Sequence, residues 1–361
     1  MTRRAPRPSG TVCLALILLT FGLVSSATGA KIRVWPGHSI QAAINKASPH
    51  DTIVVKPGTY AEQLTIDKDG ISLVGHDAIL VPPFSAASNL CSGLAGDKTE
   101  AGICVLGSKV VLAPFVSEHR KVISVGKPVK GVSISGFQIK NFSGENVAVV
   151  GGQDVSVTQN KLINGGQYGL LSDGSTNTIV ADNTVISETG LKFIGICVDN
   201  FAGAQVSKNY ISGYIIALCI DTSGADVGNN GISNCCIGVF IDPFIKDAKV
   251  HDNHIDASNP TCPPESVFGI IISGAVNTVA RHNIIQGQTN KTSGGATAGL
   301  AIVDDQSTGT LAIASGNKVV GNIFRHNTLD LLINTKGTGN VIEHNRCSTP
   351  KELCAKKEWS T

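Results

Sequence analysis

The chain has 361 residues with 40 glycines, 5% aromatic residues and a formal net charge of +2. This near balance of charge argues against nucleic acid or an anionic membrane surface as a partner. Many short Val/Ile runs, with few aromatic residues and one Met, favour an all-β protein over a helical or doubly wound one.

The first 30 residues have the pattern of a secretory signal peptide. Arg3, Arg4 and Arg7 precede the apolar run VCLALILLTFGLV, and small residues follow up to Ala30. The apolar run is too short to span a bilayer comfortably. We therefore expect a secreted, extracellular protein with no membrane anchor and a single mature domain over residues 31–361.

Export decides how the ten cysteines are interpreted, because an oxidising compartment favours disulfides. Cys91 with Cys104, and Cys347 with Cys354, lie close in sequence and are the easiest pairs to propose. No CxxC pair with matching His spacing occurs, which argues against zinc. The sequons at Asn141 and Asn290 would accept glycans in a eukaryotic host. The sequence leaves open the pairing of Cys197, Cys219, Cys235, Cys236 and Cys262.

An internal repeat organises the mature chain. An apolar residue followed three positions later by Asn recurs, mostly at intervals of 21 to 26 residues. With strands of three to five residues, this period fits one turn of a parallel β-solenoid. Asn tolerates the left-handed backbone of a sharp bend, and its amide can bond to its equivalent in the next coil. The predicted ladder comprises Asn160, Asn183, Asn209, Asn230, Asn253, Asn283, Asn322 and Asn345.

A solenoid has open sheet edges at both ends, and these must be covered. The stretch SIQAAINKA at 39–47 has apolar residues at helical spacing, which predicts a short amphipathic helix capping the first coil. Residues 83–118 lack the repeat and predict a long, disulfide-pinned excursion. The tail after residue 347 would cover the other end. The prediction is thus an all-β parallel solenoid of about ten coils.

Two stretches resemble the right-handed parallel β-helix proteins of the pectin-lyase-like superfamily. SIQAAINKASPHDTIVVKPGTYAEQLTI is similar to the opening coil of pectinesterases, and YGLLSDGSTNTIVADNTV resembles the generic repeat. The resemblance implies the fold but no single activity, because the superfamily includes lyases, hydrolases, epimerases and proteins without known catalysis. Catalytic signatures match poorly. The pair Asp304-Asp305 lacks its polygalacturonase context, and Phe244 stands where mannuronan epimerases have the His of Asp-Pro-His.

The resemblance also implies a register. In relatives the Asn ladder lies between the second and third sheets, and the next strand belongs to the first sheet, which carries the cleft in pectate lyases. GLLSD, GICVD, ALCID, GVFID, GIIIS and GLAIV are then consecutive first-sheet strands. Alternation puts Leu170, Ile196, Leu218 and Val239 inside. Three columns would face outward: Gly169, Gly195, Ala217, Gly238, Gly269 and Gly299; Leu171, Cys197, Cys219, Phe240 and Ile271; and Asp173, Asp199, Asp221, Asp242 and Ser273.

These columns predict a binding face. The glycine column predicts a trough, and the apolar column a surface on which a ring could lie. Cys197 and Cys219 would either form a cross-coil disulfide or fill this surface. The extended loops 256–269 and 286–299 would wall the trough, giving either a polymer-binding cleft or a covered pocket.

The aspartate column has two explanations. Asp often ends a strand by accepting backbone N–H groups of the following bend. However, coils lie about 4.8 Å apart, so ionised neighbours would repel by about 1–3 kcal/mol at surface-like dielectric. The column therefore needs N–H donors, a cation such as calcium, a cationic ligand or a raised pKa. The last three would be functional.

The leading hypothesis is a secreted carbohydrate-active lyase, epimerase or hydrolase acting on a polysaccharide, with calcium as a candidate cofactor and no metal site assigned. The lack of an Arg or Lys column on the proposed face counts against a lyase. The alternatives are a non-catalytic glycan-binding or structural protein and a small-molecule isomerase or cyclase. The predicted catalytic residues are Asp199, Asp221 and Asp242, and the predicted substrate-binding residues are Asp173, Phe240, Ser273 and Asp304.

Overall fold

The chain winds into a stack of coils built from short parallel strands. The computed structural model describes residues 1–2, 29–263, 267–290 and 295–354, so the apolar run of the predicted signal peptide lies outside the described residues. Ten strands, matching the predicted ten or so coils, form what we call the first sheet. They are Leu64–Ile66, Ile103–Leu106, Glu145–Val150, Tyr168–Asp173, Lys192–Asp199, Tyr214–Ile220, Ile237–Ile241, Val267–Ser273, Thr297–Val303 and Leu331–Asn334.

The other parallel strands in the described residues form one continuous 22-stranded sheet. Ser133–Lys140 pairs with two successive strands of the next coil, so this sheet turns a corner between them. Its strands are Lys31–Val34, Thr52–Val55, Gly58–Ala61, Ser72–Val81, Val129–Lys130, Ser133–Lys140, Gly152–Gln153, Ser156–Thr158, Lys161–Ile163, Thr176–Ala181, Thr184–Ile186, Ala202–Ser207, Tyr210–Ser212, Asp226–Gly228, Gly231–Ser233, Lys249–His251, His254–Ile255, Val279–Arg281, Ile284–Gln286, Lys318–Val320, Ile323–Arg325 and Val341–Glu343.

Aliphatic side chains fill the space between the sheets. Leu170, Ile196, Leu218 and Val239 lie on successive coils, and each is fully buried, which confirms their predicted inward direction. Burying one such side chain contributes about 1.5–3 kcal/mol. Every coil adds an equivalent layer, so the core grows in proportion to the number of coils.

The asparagine ladder runs along the corner of the larger sheet, as predicted. The amide of Asn183 donates to Oδ1 of Asn209 at 3.0 Å, and Asn209 repeats the contact with Asn230 at 3.0 Å. Each Oδ1 also accepts a backbone N–H, as from Asn183 to Asn209 at 3.0 Å. The predicted backbone reason is wrong, because the left-handed residue is the one before each asparagine, such as Asp182 (φ 57°) and Lys208 (φ 56°). The asparagines act through their amides.

The N-terminal end is covered by the predicted helix, which spans Ile40–Lys46. Ser39 caps it, since its Oγ accepts the N–H of Ala42 at 3.1 Å. The carboxylate of Glu62 accepts the N–H of Ile40 at 2.8 Å. These contacts satisfy N–H groups that have no partner inside the helix. Its apolar face packs on the first layer of the core.

Disulfides pin the irregular segments. The bonded pairs among the described residues are Cys91–Cys104, Cys236–Cys262 and Cys347–Cys354. The first and the last confirm the predicted pairs, whereas the sequence left the partners of the middle pair open. The last bond ties down the second helix, Lys351–Cys354. Neither of the two helices described here has the length and hydropathy needed to cross a membrane.

Two long segments project outward from the coils in the N-terminal part of the chain. The region predicted as one excursion, 83–118, contains the first-sheet strand Ile103–Leu106, which pairs with the coils on both sides. One outward segment therefore precedes this strand and another follows it. We call the second one, residues 107–128, the hairpin segment, because Val111–Leu112 pairs antiparallel with Val122–Ser124.

The ladder predicts a measurable loss of stability for Asn209→Ala. Asn209 is buried, and its removal leaves the amide of Asn183 and the carbonyl of Val180 without these partners. Each unsatisfied buried group costs about 1–3 kcal/mol, so the midpoint of chemical unfolding should fall. Asn45→Ala, at an exposed helix position, is the matched control and should change little. An unchanged midpoint for Asn209→Ala would show that the ladder contributes nothing.

Candidate functional site

The aspartate column lies on the outer face of the first sheet, with one carboxylate on each coil. Asp173 and Asp199 are register partners. Asp221 and Asp242 directly follow the paired residues of the next two strands. The four side chains have different neighbours and different burial, so they are not equivalent chemically.

The glycine column faces inward, which corrects the predicted trough. A Cβ on Gly169 would lie 2.3 Å from Cγ1 of Val185, and one on Gly195 would lie 2.6 Å from Cγ2 of Ile211. Val185 and Ile211 belong to the core, as does Ala217, the non-glycine member of the column. Strict alternation fails here because the glycine and the aliphatic residue after it both face the interior. These positions are small because the corner of the coil has no room for a larger side chain.

The apolar column faces outward, but other segments of the chain cover it. Leu171 and Cys197 have no exposed surface, and Cys219 is 2% exposed. They pack in a second apolar cluster with Leu94, from the first outward segment, and with Val122 of the hairpin segment. On the outer face of the first sheet, the surface that stays accessible therefore lies on the side of the aspartate column.

The hairpin segment brings charge to the aspartate column. Its stretch EHRK places Glu118, His119 and Lys121 against the carboxylates. Sequence reasoning missed these residues because the segment lacks the repeat, so no register could be assigned to it. The signal available was four consecutive charged or titratable residues in a segment otherwise rich in apolar ones.

His119 is buried between two carboxylates of the column. Its Nε2 lies 3.1 Å from Oδ2 of Asp199 and 3.8 Å from Oδ2 of Asp173. Its Nδ1 lies 2.9 Å from the hydroxyl of Tyr168. Burial alone would lower the pKa of His119, but the hydrogen bond with Asp199 and the charge of Asp173 raise it above its usual value. The site therefore favours an imidazolium that compensates both carboxylates.

Asp173 is held by the hairpin segment and not by the bend that follows it. Both of its carboxylate oxygens accept the backbone N–H of Val122, at 3.1 and 3.0 Å. Burial raises the pKa of Asp173 to about 7, against the opposing charge of His119. An N–H donor and a raised pKa, which the sequence analysis treated as alternatives, act on the same residue.

Lys121 bridges the next two carboxylates. Its Nζ lies 3.2 Å from Oδ2 of Asp199 and is in direct contact with Oδ2 of Asp221. Burial would raise the pKa of Asp199, but the hydrogen bond with His119 and the charge of Lys121 hold it below its usual value. Burial and the charge of Asp199 raise the pKa of Asp221, while Lys121 opposes this shift. Asp199 is therefore the more readily ionised of the two.

Asp242 ends the column in a different environment. Its Oδ2 accepts the thiol hydrogen of Cys219, with the sulfur at 3.4 Å. Burial, followed by the charges of Asp221 and Glu118, raises the pKa of Asp242 well above its usual value. Burial thus favours the protonated form of Asp242, while Lys121 favours the ionised form of its neighbour.

These groups meet in a cavity of 550 Å³. Glu118 and Lys121 of the hairpin segment line one side, Asp221 and Asp242 line another, and Ser307 belongs to a turn that completes the lining. The volume falls within the range of about 300–1,000 Å³ that is usual for small-ligand sites.

Five of the seven predicted site residues do not line this cavity: Asp173 and Asp199, whose contacts are described above, and Phe240, Ser273 and Asp304. Phe240 is half-buried in the apolar column. Ser273 donates to Oδ2 of Asp305 at 2.7 Å. Asp304 accepts the backbone N–H of Lys336 at 2.8 Å, a donor from the next coil and not from the bend that directly follows Asp304.

The loops predicted as walls pack on each other instead. In 256–269 and 286–299, residues 264–266 and 291–294 lie outside the described residues. Among the residues that are described, Ser258 Oγ donates to the carbonyl of Thr289 at 2.7 Å. Residues of the hairpin segment form one wall of the cavity.

Comparison with known proteins identifies the fold. Residues 145–308 match the family model described as right handed beta helix region. An alginate lyase from Paenibacillus sp. is similar, with 14% identity and a TM-score of 0.57 over 88% of this chain and 99% of that one. A DFA-IIIase from Arthrobacter chlorophenolicus has 13% identity and a TM-score of 0.56 over 88% of this chain and 97% of its own. The chain folds as a right-handed parallel β-helix.

At these identities the likeness extends to the fold and not to an activity. The A-module of a mannuronan C-5 epimerase from Azotobacter vinelandii aligns over 86% of this chain and 94% of its own, with 13% identity and a TM-score of 0.47. No curated protein matches the sequence of this β-helix. Arguments about function therefore depend on the cavity itself.

Among the described residues, one group has ligand atoms close enough together to hold a metal ion. The ligand atoms of His119, Asp173 and Asp199 lie within 4.8 Å of one another. Calcium takes six to eight oxygen ligands, whereas this group offers two carboxylates and a ring nitrogen. Lys121 already lies 3.2 Å from Asp199. These residues do not fit calcium, and two side chains of the hairpin segment supply positive charge in its place.

The buried Asp173 predicts how stability varies with pH. Its pKa is about 7 in the folded β-helix and about 3.9 in an unfolded chain. The folded state binds this proton more tightly, so the stabilisation is complete below about pH 4 and is lost as the pH rises through about 7. Asp173→Asn removes the titration, so the thermal midpoint of the variant should rise relative to that of the wild type between about pH 4 and pH 7 and then level off.

Asp67→Asn, at an exposed position, is the control for this comparison and should parallel the wild type. A difference between Asp173→Asn and the wild type that stays constant over this pH range would contradict the raised pKa of Asp173.

Proposed function

We propose that this β-helix is a secreted enzyme that cleaves or transfers a glycosidic bond by acid–base chemistry in the cavity. The observation that carries the proposal is a pair of carboxyl groups on adjacent coils that both line the cavity. Burial raises the pKa of Asp242 well above its usual value, while Lys121 opposes the smaller rise in the pKa of Asp221, so Asp242 is the more readily protonated of the two. Carboxyl pairs divided in this way supply the acid and the base or nucleophile of glycosidases. The signal-like start and the disulfides support secretion.

The proposed roles follow from the neighbours of each group. Asp242 is the general acid that protonates the leaving oxygen, and Asp221 is the nucleophile or base. Adjacent coils are about 4.8 Å apart, close to the separation of about 5–5.5 Å between the carboxyls of retaining enzymes. We therefore expect retention at the anomeric carbon. Asp199, predicted from the sequence as catalytic, becomes a positioning residue because its contacts are with His119 and Lys121.

The size of the cavity indicates the class of substrate. A volume of 550 Å³ suits a short saccharide or a chain end better than the middle of a polymer. Among the similar structures, one is an alginate lyase and one is a DFA-IIIase in complex with DFA-III, which supports a saccharide ligand. Phe244 is 47% exposed and follows Pro243, a lining residue, so it offers an aromatic face for a sugar ring.

Elimination or epimerisation at a uronic acid is a second candidate, and Lys121 favours it. Such a reaction needs a cation to neutralise the substrate carboxylate. The sequence counted against this reaction because no basic column was found on the first sheet. Lys121 comes from the hairpin segment, lines the cavity, and has a side chain that is 59% exposed.

Product analysis separates these functions. The secreted protein is incubated with neutral and uronate-containing oligosaccharides and polysaccharides, and reducing ends and the ultraviolet absorbance of unsaturated uronates are measured. New reducing ends without this absorbance support glycosidic cleavage, and the absorbance supports elimination. Saturable binding without either product would overturn the proposal in favour of a non-catalytic binding protein.

Substitution of the two carboxyls provides the kinetic test. Asp221→Asn and Asp242→Asn should each lower kcat by about 10²–10⁴-fold, the usual contribution of a general acid or base. Asp67→Asn is an exposed control and should retain full activity. In the wild type, activity should fall at high pH as Asp242 loses its proton. Wild-type kcat in either variant would refute the assigned role of that residue.

A further inference from the structure

Two free thiols lie side by side in the lining of the cavity. Cys197 and Cys219 are register partners on adjacent first-sheet strands, and their Sγ atoms are 2.7 Å apart. Neither is bonded elsewhere, and both line the cavity. The other free cysteine of the described residues, Cys235, is buried outside this lining, and its sulfur contacts the carbonyl of Ser233.

The sheet geometry suits a bond between these two sulfur atoms. Adjacent parallel strands hold equivalent Cα atoms about 4.8 Å apart, within the span of about 4.4–6.8 Å found for disulfides. The 2.7 Å separation is well below the optimum of about 3.5–4.0 Å for unbonded carbon atoms. Two unbonded sulfur atoms repel at this distance. The strand ladder on both sides holds the two residues in place, so a covalent bond relieves the contact more readily than a shift of a strand.

The surroundings of the pair allow oxidation. The six other cysteines in the described part of the chain are bonded in three disulfides, as expected in an oxidising compartment. Cys219 is 2% exposed beside the cavity and Cys197 is not exposed, whereas Cys235 is 4% exposed, so access alone does not separate the three thiols. The pair differs from the third thiol in its partner: the sulfur atoms of Cys197 and Cys219 are in contact, so one can displace glutathione from the other, whereas the sulfur of Cys235 contacts the carbonyl of Ser233.

We propose that Cys197 and Cys219 form a reversible cross-coil disulfide in the lining of the cavity. The thiolate of one cysteine attacks a low-molecular-weight disulfide such as glutathione disulfide, which forms a mixed disulfide and releases one glutathione. The second cysteine then displaces the other glutathione. Two cysteine thiols are oxidised, one glutathione disulfide is reduced, and the two protons pass to the two glutathione thiols.

The new bond changes the neighbouring acid. Cys219 donates its thiol hydrogen to Oδ2 of Asp242 at 3.4 Å, and a disulfide has no hydrogen to donate. This step rests on the proposed function, in which Asp242 is the general acid. Loss of the donor disfavours the ionised form of Asp242, so oxidation should move the alkaline fall of activity to higher pH.

Burial sets the rate of the exchange. It raises the pKa of Cys197 to about 12, so the attacking thiolate is scarce at neutral pH. Oxidation should be slow and should accelerate as the pH rises.

The experiment counts thiols in the secreted, folded protein before and after incubation with glutathione disulfide. The sample is denatured in acid, alkylated without reduction, digested with trypsin and analysed by mass spectrometry. Trypsin cleaves after Lys208, which lies between the two cysteines. The peptide 209–246 also carries Cys235 and Cys236, and Cys236 is bonded to Cys262 on a third peptide. A disulfide between Cys197 and Cys219 therefore appears as attachment of the Cys197 peptide to this pair, with two hydrogen atoms fewer and no alkyl label on either cysteine, and reduction releases it. Cys235 should stay fully alkylated.

Cys219→Ser and Cys235→Ser identify the partner of Cys197. The first should abolish the link and the second should leave it intact. Alkyl label on both Cys197 and Cys219 after incubation would overturn the proposal, as would a glutathione adduct that stops at one of them. A disulfide without any saccharide turnover would count against the proposed function alone. Turnover with both thiols alkylated would count against the disulfide alone.

Discussion

The stacking of equivalent residues about 4.8 Å apart is the constraint on which the molecule depends. For aliphatic side chains this spacing gives continuous van der Waals contact from one layer to the next. For asparagine it brings each amide group to the oxygen of its neighbour, as in the 3.0 Å contact between Asn183 and Asn209. For aspartate the same spacing brings identical charges together, which costs about 1–3 kcal/mol for each ionised pair. A column of carboxylates therefore needs compensation from outside the repeat.

The hairpin segment supplies most of the groups that compensate these charges, and the groups differ from one carboxylate to the next. Asp173 receives a backbone N–H, Asp199 receives His119 and Lys121, and Asp221 receives Lys121. Asp242 receives only the thiol of Cys219 among these contacts and has a pKa raised by burial. A repeated sequence feature thus becomes a set of chemically distinct groups. These different neighbours give each carboxyl group its own affinity for a proton, in addition to the splitting that repulsion between adjacent carboxylates would cause.

Errors in the sequence analysis came from places where the chain departs from its regular pattern. The ladder and the inward position of Leu170 followed from period and alternation, and both are confirmed. The predicted outward direction of the glycine column was wrong, because the glycine and the residue after it both face the core in these first-sheet strands. His119 and Lys121 were missed because they lie in a non-repeating segment, whose contacts with the column span 80 and 100 residues of sequence. Local patterns carry no information about contacts of that range.

The sequence by itself determined the coil, the ladder, the capping helix and the stacking of the four aspartates, because each depends on a repeat or a helical period. The tertiary structure decided which carboxylates are paired, in which direction the pKa of each is shifted and where the cavity lies. Those properties depend on how the hairpin segment packs across the first sheet, and on the local burial that this packing creates. Repetition fixes the spacing of the carboxylates, while the protonation of each one is set by neighbours from a part of the chain that does not repeat.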